Sequence, residues 1–305
     1  MTVSTRRIEE ILAYLDENGE EKALSYFGIN LETLRRYQRK SRYKETKKAK
    51  ILLLDIETAR MIVGAWRLGK QVLGPDQIIK DWFILGWSAR WLFDPQRHSM
   101  FVTAEEALKR DDKRICQGLW DMMDDSEIII THNGNHFDLP KIMARFILHG
   151  MKPPSPFQTI DTCHAAKKYF DFSSNALNYL SKYLHGKTKL HTDYELWIRC
   201  ENGDQEAIDY MEEYCNVDID RLEEAYLELR PFIKSHPHIG LLMDETEKCC
   251  PNCGSTDLEL TDKYYTTPAN QYRVVRCNSC GAYNRLPQGV LTYEDRKNLI
   301  RSIAR

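Results

Sequence analysis

LLLDIET, residues 52–58, decides how this chain is read. With Ile51 before it, the apolar run is short and continuous, which predicts a strand buried on both faces. Side chains two apart on a strand project from the same face, so Asp55 and Glu57 come off the strand together. Two desolvated carboxylates side by side are costly unless a cation sits between them. Taken alone, Asp-x-Glu marks a strand end meeting solvent equally well.

Working outward, residues 81–88, 98–103, 127–131 and 158–161 predict further strands. Helices are predicted over 104–124, 139–149 and most of the chain from there to 232, including 205–229. Strands cluster early and helices late, which indicates an α/β domain around one mixed sheet. HNGNHFDLP (132–140) follows a predicted strand, and its Asn and Gly suit a tight turn. Asp138 falls where the next helix begins; it could cap that helix or serve a site at the strand-to-helix junction. In YCNVD (214–218), Tyr214 and Asp218 lie four apart on a predicted helix and share a face.

Strand, junction and late helix thus supply four acidic residues in order, with a tyrosine one turn before the last. The combination resembles the DEDD superfamily of 3′–5′ exonucleases. The Tyr-x-x-x-Asp form resembles its DEDDy branch, which includes the proofreading domains of family B DNA polymerases. The sister branch has His five residues before the last Asp, where this chain has Glu213. DWFILGWSARWL (81–92), FSSNALNYLSKYL (172–184) and residues 195–215 are similar to stand-alone, often phage-encoded, members. The resemblance covers about 51–232 and implies a ribonuclease H-like fold, a mixed β-sheet flanked by helices.

The chemistry of the residues agrees. Four converging carboxylates stay ionised only beside cations, and hard oxygen ligands select Mg²⁺ or Mn²⁺ over zinc. Two such ions can activate a water and stabilise a leaving 3′-oxygen. Asp55 is expected to bridge both, Glu57 and Asp218 to hold the ion on the nucleophile side, and Asp138 to complete the set. Tyr214, with an unperturbed pKa of ~10, is suited to orienting the water rather than deprotonating it. The resemblance implies that Asn133 and Phe137 contact the terminal nucleotide.

Cys250-Pro-Asn-Cys253-Gly and Cys277-Asn-Ser-Cys280-Gly are two knuckles separated by 23 residues. Four thiolates at this spacing suit one tetrahedral Zn²⁺. Strands are predicted over 257–267 and 271–275 around a Pro-Ala-Asn turn, and the whole resembles a zinc ribbon. Cys249 is an alternative ligand beside Cys250. Tyr264, Tyr265, Tyr272, Arg273 and Arg276 offer aromatic and cationic contacts, either to nucleic acid or to protein. Cys116, Cys163, Cys200 and Cys215 read as buried apolar thiols. His132, His136 and His164 read as ordinary imidazoles near the cleft.

Residues 1–50 read as helices. Ile8, Ile11, Leu12 and Leu15 keep a 3.6-residue period, a second helix spans 20–27, and Asn30 is placed to cap a third over 31–42. This is a helix-turn-helix outline. Residues 35–50 carry nine Lys or Arg against one Glu, inside a chain of 305 residues with net charge −2. A basic arm beside an acidic body suits a nucleic-acid enzyme, since phosphate needs cations and a metal site needs carboxylates; a solvated linker would look the same.

The expected domains are a helical arm (1–50), a ribonuclease H-like body (51–240), a zinc ribbon (244–290) and a short helical tail (291–305). Hydrophobic residues at 42% and charged residues at 29% exclude a disordered chain or a coiled-coil rod. No apolar run suits a membrane span, and the charged N-terminus is unlike a signal peptide, so a cytoplasmic protein is expected. The expected partner is nucleic acid, with DNA 3′ ends ahead of RNA. The rivals are an RNA exonuclease or structure-specific endonuclease with the same site, and a nucleic-acid-binding or recruitment factor.

Overall fold

The computed structural model describes residues 5–31, 33–34, 49–188, 190–243, 247–297 and 299–300. They fall into two compact units: one runs Lys50–Ser235, and the other takes Met1–Ala49 with His236–Arg305.

The first unit is built on β1 (Ile51–Thr58). A short separate ribbon pairs β2 (Ile62–Val63) with β3 (Ile78–Lys80). The main sheet continues with β4 (Ile84–Trp91), β5 (Arg97–Phe101), β6 (Ile128–Thr131) and β7 (Gln158–Asp161). Its order is β5-β4-β1-β6-β7. The β5, β4 and β1 strands run antiparallel, whereas β6 and β7 lie parallel to β1. The mixed sheet matches the expectation from sequence, whereas the β2–β3 ribbon is not among the predicted strands.

Both faces of the sheet are covered. The Lys113–Asp124 helix buries Ile115, Cys116, Leu119 and Met123, an i, i+4, i+8 stripe. The Gln205–Leu229 helix packs against β1 and β4 and buries Ile208, Met211, Cys215, Asp218, Ile219 and Leu222. Ile128, Ile129 and Ile130 on β6 are fully buried, each stabilising the fold by roughly 1.5–3 kcal/mol.

Two predicted elements are corrected. The helix expected over 104–124 is two helices, Ala104–Lys109 and Lys113–Asp124, because Arg110 turns left-handed at φ 55°. That turn sends its guanidinium back to the carbonyls of Arg60 and Asp81, 2.8 and 2.7 Å away. It also drops Asp112 into the interior, where its carboxylate accepts the N–H of Ile84 at 2.8 Å and two bonds from Arg145 at 2.7 Å. The strand expected over 81–88 begins at Ile84 for the same reason: this bond starts it, and the Phe83 carbonyl accepts from Ala59 instead.

In the second unit, the Thr5–Asn18 and Glu20–Phe27 helices meet expectation, the latter ending at left-handed Gly28. Asn30 Oδ1 accepts from the N–H of Thr33 at 2.8 Å, as a cap should. The remainder of the third helix, most of the basic 35–50 stretch and the helix-turn-helix reading lie outside the described residues. The C-terminal part folds as a three-stranded antiparallel sheet of β8 (Leu258–Thr267), β9 (Asn270–Cys277) and β10 (Tyr283–Gly289). The third strand was not predicted, since Pro287 and Gly289 interrupt its pattern. In the tail, the described helix is only Tyr293–Lys297.

Candidate metal centre and cysteine cluster

β1 delivers Asp55 and Glu57 to the same side, and immediately past Glu57 its register against β4 slips by one residue. Such a bulge ends regular pairing and re-aims the side chains beside it. The Gln205–Leu229 helix crosses this end of the strand. Its Cys215 thiol donates to Asp55 Oδ2 at 3.5 Å, and ligand atoms of Asp55, Glu57 and Cys215 all lie within 4.8 Å of one another. One turn further along, Asp218 is 3% exposed. Burial, then the charges of Asp55 and Glu57 and, less strongly, that of Asp218, push the Cys215 thiol well above its ordinary pKa. Tyr214, the neighbour of Cys215, is half-buried with its ring edge-on to Trp197 at 6.5 Å.

Asp138 arrives from the other side. β6 pairs with β1 only through Leu53, which leaves the later N–H groups of β1 beyond the parallel ladder. Asp138 Oδ1 takes the N–H of Ile56, between the two acidic residues, at 3.2 Å. It is the first residue of the Asp138–Leu148 helix, where Phe137 is the N-cap and makes no side-chain cap bond. Burial and the nearby charge of Asp161 push the Asp138 carboxyl up to about 6, against the opposing pull of the Ile56 N–H. The positive charge of Lys141 opposes that rise only weakly.

The HNGNHF turn is positioned by Asp161, which the sequence reading passed over. Its carboxylate accepts from the N–H groups of Asn133 at 2.9 Å, Asn135 at 3.3 Å and His164 at 3.0 Å. Asn133 is left-handed at φ 69°, a conformation that Asn tolerates. Gly134 follows because a Cβ there would collide with Thr131. Asn133 lines a 370 Å³ cavity with His132, Cys163, Lys167 and Asn175. Phe137 is 42% exposed, with the Lys141 ammonium 4.9 Å from its ring centre and 3.9 Å from that of Trp82. Burial lowers the Lys141 pKa, partly offset by Asp81 and Asp138.

A salt-bridge network fastens the chain just after β1. Buried Glu201 accepts from the Arg60 N–H at 2.7 Å and from its guanidinium at 2.9 and 3.2 Å. The group of Asp112, Cys116 and His149 is a structural network, because Arg145 occupies both oxygens of Asp112.

The C-terminal cysteines converge as predicted. Sulfurs of Cys250, Cys253, Cys277 and Cys280 lie within 4.8 Å of one another, with two pairs at 3.6 Å. Sulfurs around a tetrahedral Zn²⁺ with ~2.3 Å bonds stand ~3.8 Å apart, so the group fits that ion. The two knuckles repeat one bonding pattern. Gly254 N–H donates to Cys250 O and Gly281 N–H to Cys277 O, at 2.8 and 2.9 Å, and both glycines have φ near +80°, at 76° and 79°. Cys249 stands outside the group. Cys116, Cys163, Cys200 and Cys215 are buried.

Residues 89–229 match the family model RNase_H_2, of the RNase_H superfamily. The fold is ribonuclease H-like. The matched span contains Asp138, Tyr214 and Asp218 and begins after Asp55 and Glu57. Among solved structures, the family B DNA polymerase from the hyperthermophilic archaeon Pyrobaculum calidifontis is similar at a TM-score of 0.47 and 16% identity. The match covers 64% of this chain and 26% of that one, so the chain spans about a quarter of the polymerase's length. No curated protein matches the sequence. Among the described residues, no helix is long and apolar enough to cross a membrane.

Proposed function

We propose that this protein is a metal-dependent 3′–5′ exonuclease that hydrolyses phosphodiester bonds of single-stranded DNA. The observation that carries the reading is the gathering of acidic groups around Ile56. Asp55 and Glu57 stand within 4.8 Å of Cys215, Asp138 bonds the Ile56 N–H, and Asp218 acts electrostatically on the same thiol. This donor set is all carboxylate oxygen apart from one protonated thiol, which suits hard divalent cations.

Asp55, Glu57 and Asp218 would hold two Mg²⁺ or Mn²⁺ ions, with Asp138 completing the set. When bound, such a pair supplies an activated water and neutralises charge at the scissile phosphate. The Tyr214 hydroxyl, one helical turn before Asp218, would orient the attacking water by a hydrogen bond. Asn133 and Phe137 contact the terminal nucleotide, Phe137 by packing its exposed ring against a base or sugar. One Zn²⁺ held by Cys250, Cys253, Cys277 and Cys280 folds the C-terminal sheet. The protein acts in the cytoplasm.

The test is an assay on 5′-labelled DNA and RNA strands of matched sequence, with free or blocked 3′ ends, in Mg²⁺, Mn²⁺ or chelator. Stepwise shortening of free-ended DNA, abolished by chelator and by Asp55→Ala, is the expected result. Shortening of RNA alone, or cuts within blocked strands, would transfer the assignment to the RNA exonuclease or endonuclease reading. Tight binding without any cleavage would leave a nucleic-acid-binding factor.

A further inference from the structure

The strand registers of the C-terminal sheet sort its rings and cations onto two faces. Tyr265 on β8 stands opposite Tyr272 on β9, while Val274 and Arg276 of β9 stand opposite Arg285 and Tyr283 of β10. Residues directly opposite, or two apart along a strand, share a face. Tyr265, Tyr272, Arg276, Tyr283 and Arg285 therefore share one. The ring geometry agrees: the Arg285 guanidinium lies 4.0 Å from the Tyr272 centroid and 5.9 Å from that of Tyr265, and Arg276 lies 5.9 Å from Tyr283. Tyr264 and Arg273 belong to the opposite face and bond each other at 3.0 Å. Buried Val275 and Cys277 alternate onto that face too, which makes it the side nearer the cysteine core.

The Tyr265 face is open. Tyr265 is 53% and Tyr283 62% exposed, and both Arg276 and Arg285 are exposed. Each guanidinium lies over an aromatic ring of the same face. Against these two cations the face carries Glu259, in register with Arg276.

We infer that this face of the sheet is a binding platform for single-stranded nucleic acid. Tyrosine rings and ring-stacked guanidinium groups offer flat surfaces for unpaired bases, and the same arginines pair with phosphates. A duplex keeps its base faces stacked internally and has none to offer. An aliphatic protein surface would leave two guanidinium groups without anionic partners, whereas a nucleic-acid strand satisfies both kinds of group at once. The inference concerns binding alone and does not depend on the carboxylate site.

The experiment uses the full zinc-loaded chain and fluorescence anisotropy of a labelled phosphorothioate oligothymidylate, without added divalent ion. Three double variants and one single variant are compared with wild type after zinc content and circular dichroism are matched. Arg276→Glu with Arg285→Glu is expected to weaken binding at least about tenfold. It should also flatten the plot of log affinity against log salt by about 1.4, which is ~0.7 for each phosphate that no longer has a cationic partner. Tyr265→Ala with Tyr283→Ala is expected to weaken binding by about tenfold or more with the salt slope unchanged. Tyr265→Phe with Tyr283→Phe keeps the ring faces and should bind like wild type, as should Tyr264→Ala on the opposite face. Unchanged affinity in both disruptive doubles overturns the inference. Equal or tighter binding of an oligoglutamate peptide also overturns it, since the face would then be reading acidic protein.

Discussion

At the scale of single residues, two aspartates carry different burdens. Asp161 holds the turn bearing Asn133 through bonds to Asn133, Asn135 and His164. Asp161 is also the N-cap of the Thr162–Tyr169 helix, so Asp161→Ala should cost about 1–2 kcal/mol, the usual loss for an N-cap and its companion bonds, read as a shift in the urea midpoint. Because the turn leads into Asp138, nuclease activity should also drop well beyond the loss in folded protein; activity tracking stability alone would limit Asp161 to a scaffold role. Asp112 is fully buried, with Arg145 and His149 on its oxygens. Asp112→Ala leaves the Arg145 guanidinium without its partner in the interior, at a cost of about 3–5 kcal/mol. Chemical denaturation tests this, and a change under about 1 kcal/mol would mean the interior relaxes around the cation. By contrast Asp55→Ala removes one like charge from a repelling group. Its melting temperature should hold or rise while cleavage disappears.

At the scale of elements, the Ala104–Lys109 helix is short, so its N-terminus matters. Thr103 Oγ1 accepts from the Glu106 N–H and the Glu106 carboxylate accepts from the Thr103 N–H, at 3.2 and 2.8 Å. Arg114, from the next helix, also bonds Glu106 and holds its pKa down at about 2, below the ordinary 4.5, with the Thr103 N–H as a lesser cause. A depressed folded-state pKa means stability that is fully present above pH 4.5 and lost as pH falls toward 2. The increment is on the order of 1 kcal/mol, because Arg114 is half exposed and water screens the pair. Denaturant midpoints of wild type and Glu106→Gln should differ at neutral pH and converge near pH 2; parallel curves would remove Glu106 from the acid response. This break between helices also shows what the sequence conceals. β1, β6 and the Gln205–Leu229 helix were legible because apolar runs and helical periods are local signals. The turn at Arg110 rests on distant carbonyls at Arg60 and Asp81, and the third ribbon strand on pairing with β9. Nothing local announces such partners. Among the candidate site residues, spacing alone put only Asp55 with Glu57 and Tyr214 with Asp218 on shared faces, and the grouping of the four carboxylates rested on the family resemblance. Cys215 was readable too, standing three before Asp218 on the stripe of Met211, Cys215, Asp218 and Leu222, but its meaning appears only with Asp55 beside it.

At the scale of the molecule, the two units rest on different sources of stability. The Lys50–Ser235 unit has a continuous apolar core spanning its sheet and helices. The C-terminal sheet has almost none: its buried cluster is Cys250, Cys277 and Ala282, with Cys253, Leu258 and Cys280 partly buried against it. That small cluster and Val275 cannot offset the backbone entropy of ordering three strands at roughly 1–2 kcal/mol per residue. On the proposed reading, metal ligation by the four thiols would supply the difference, and removing the ion should then unfold this sheet alone. A zinc-selective chelator, added with Mg²⁺ kept in excess, is expected to open residues 250–289 to protease and to rapid amide exchange. β1, β4 and β6 should stay protected, and their thermal transition should hold its midpoint. Zinc added back should restore protection over the same span. A chelated chain that keeps its C-terminal sheet intact would show that the four thiols fold without a metal, and a loss of both units together would show that their stabilities are coupled.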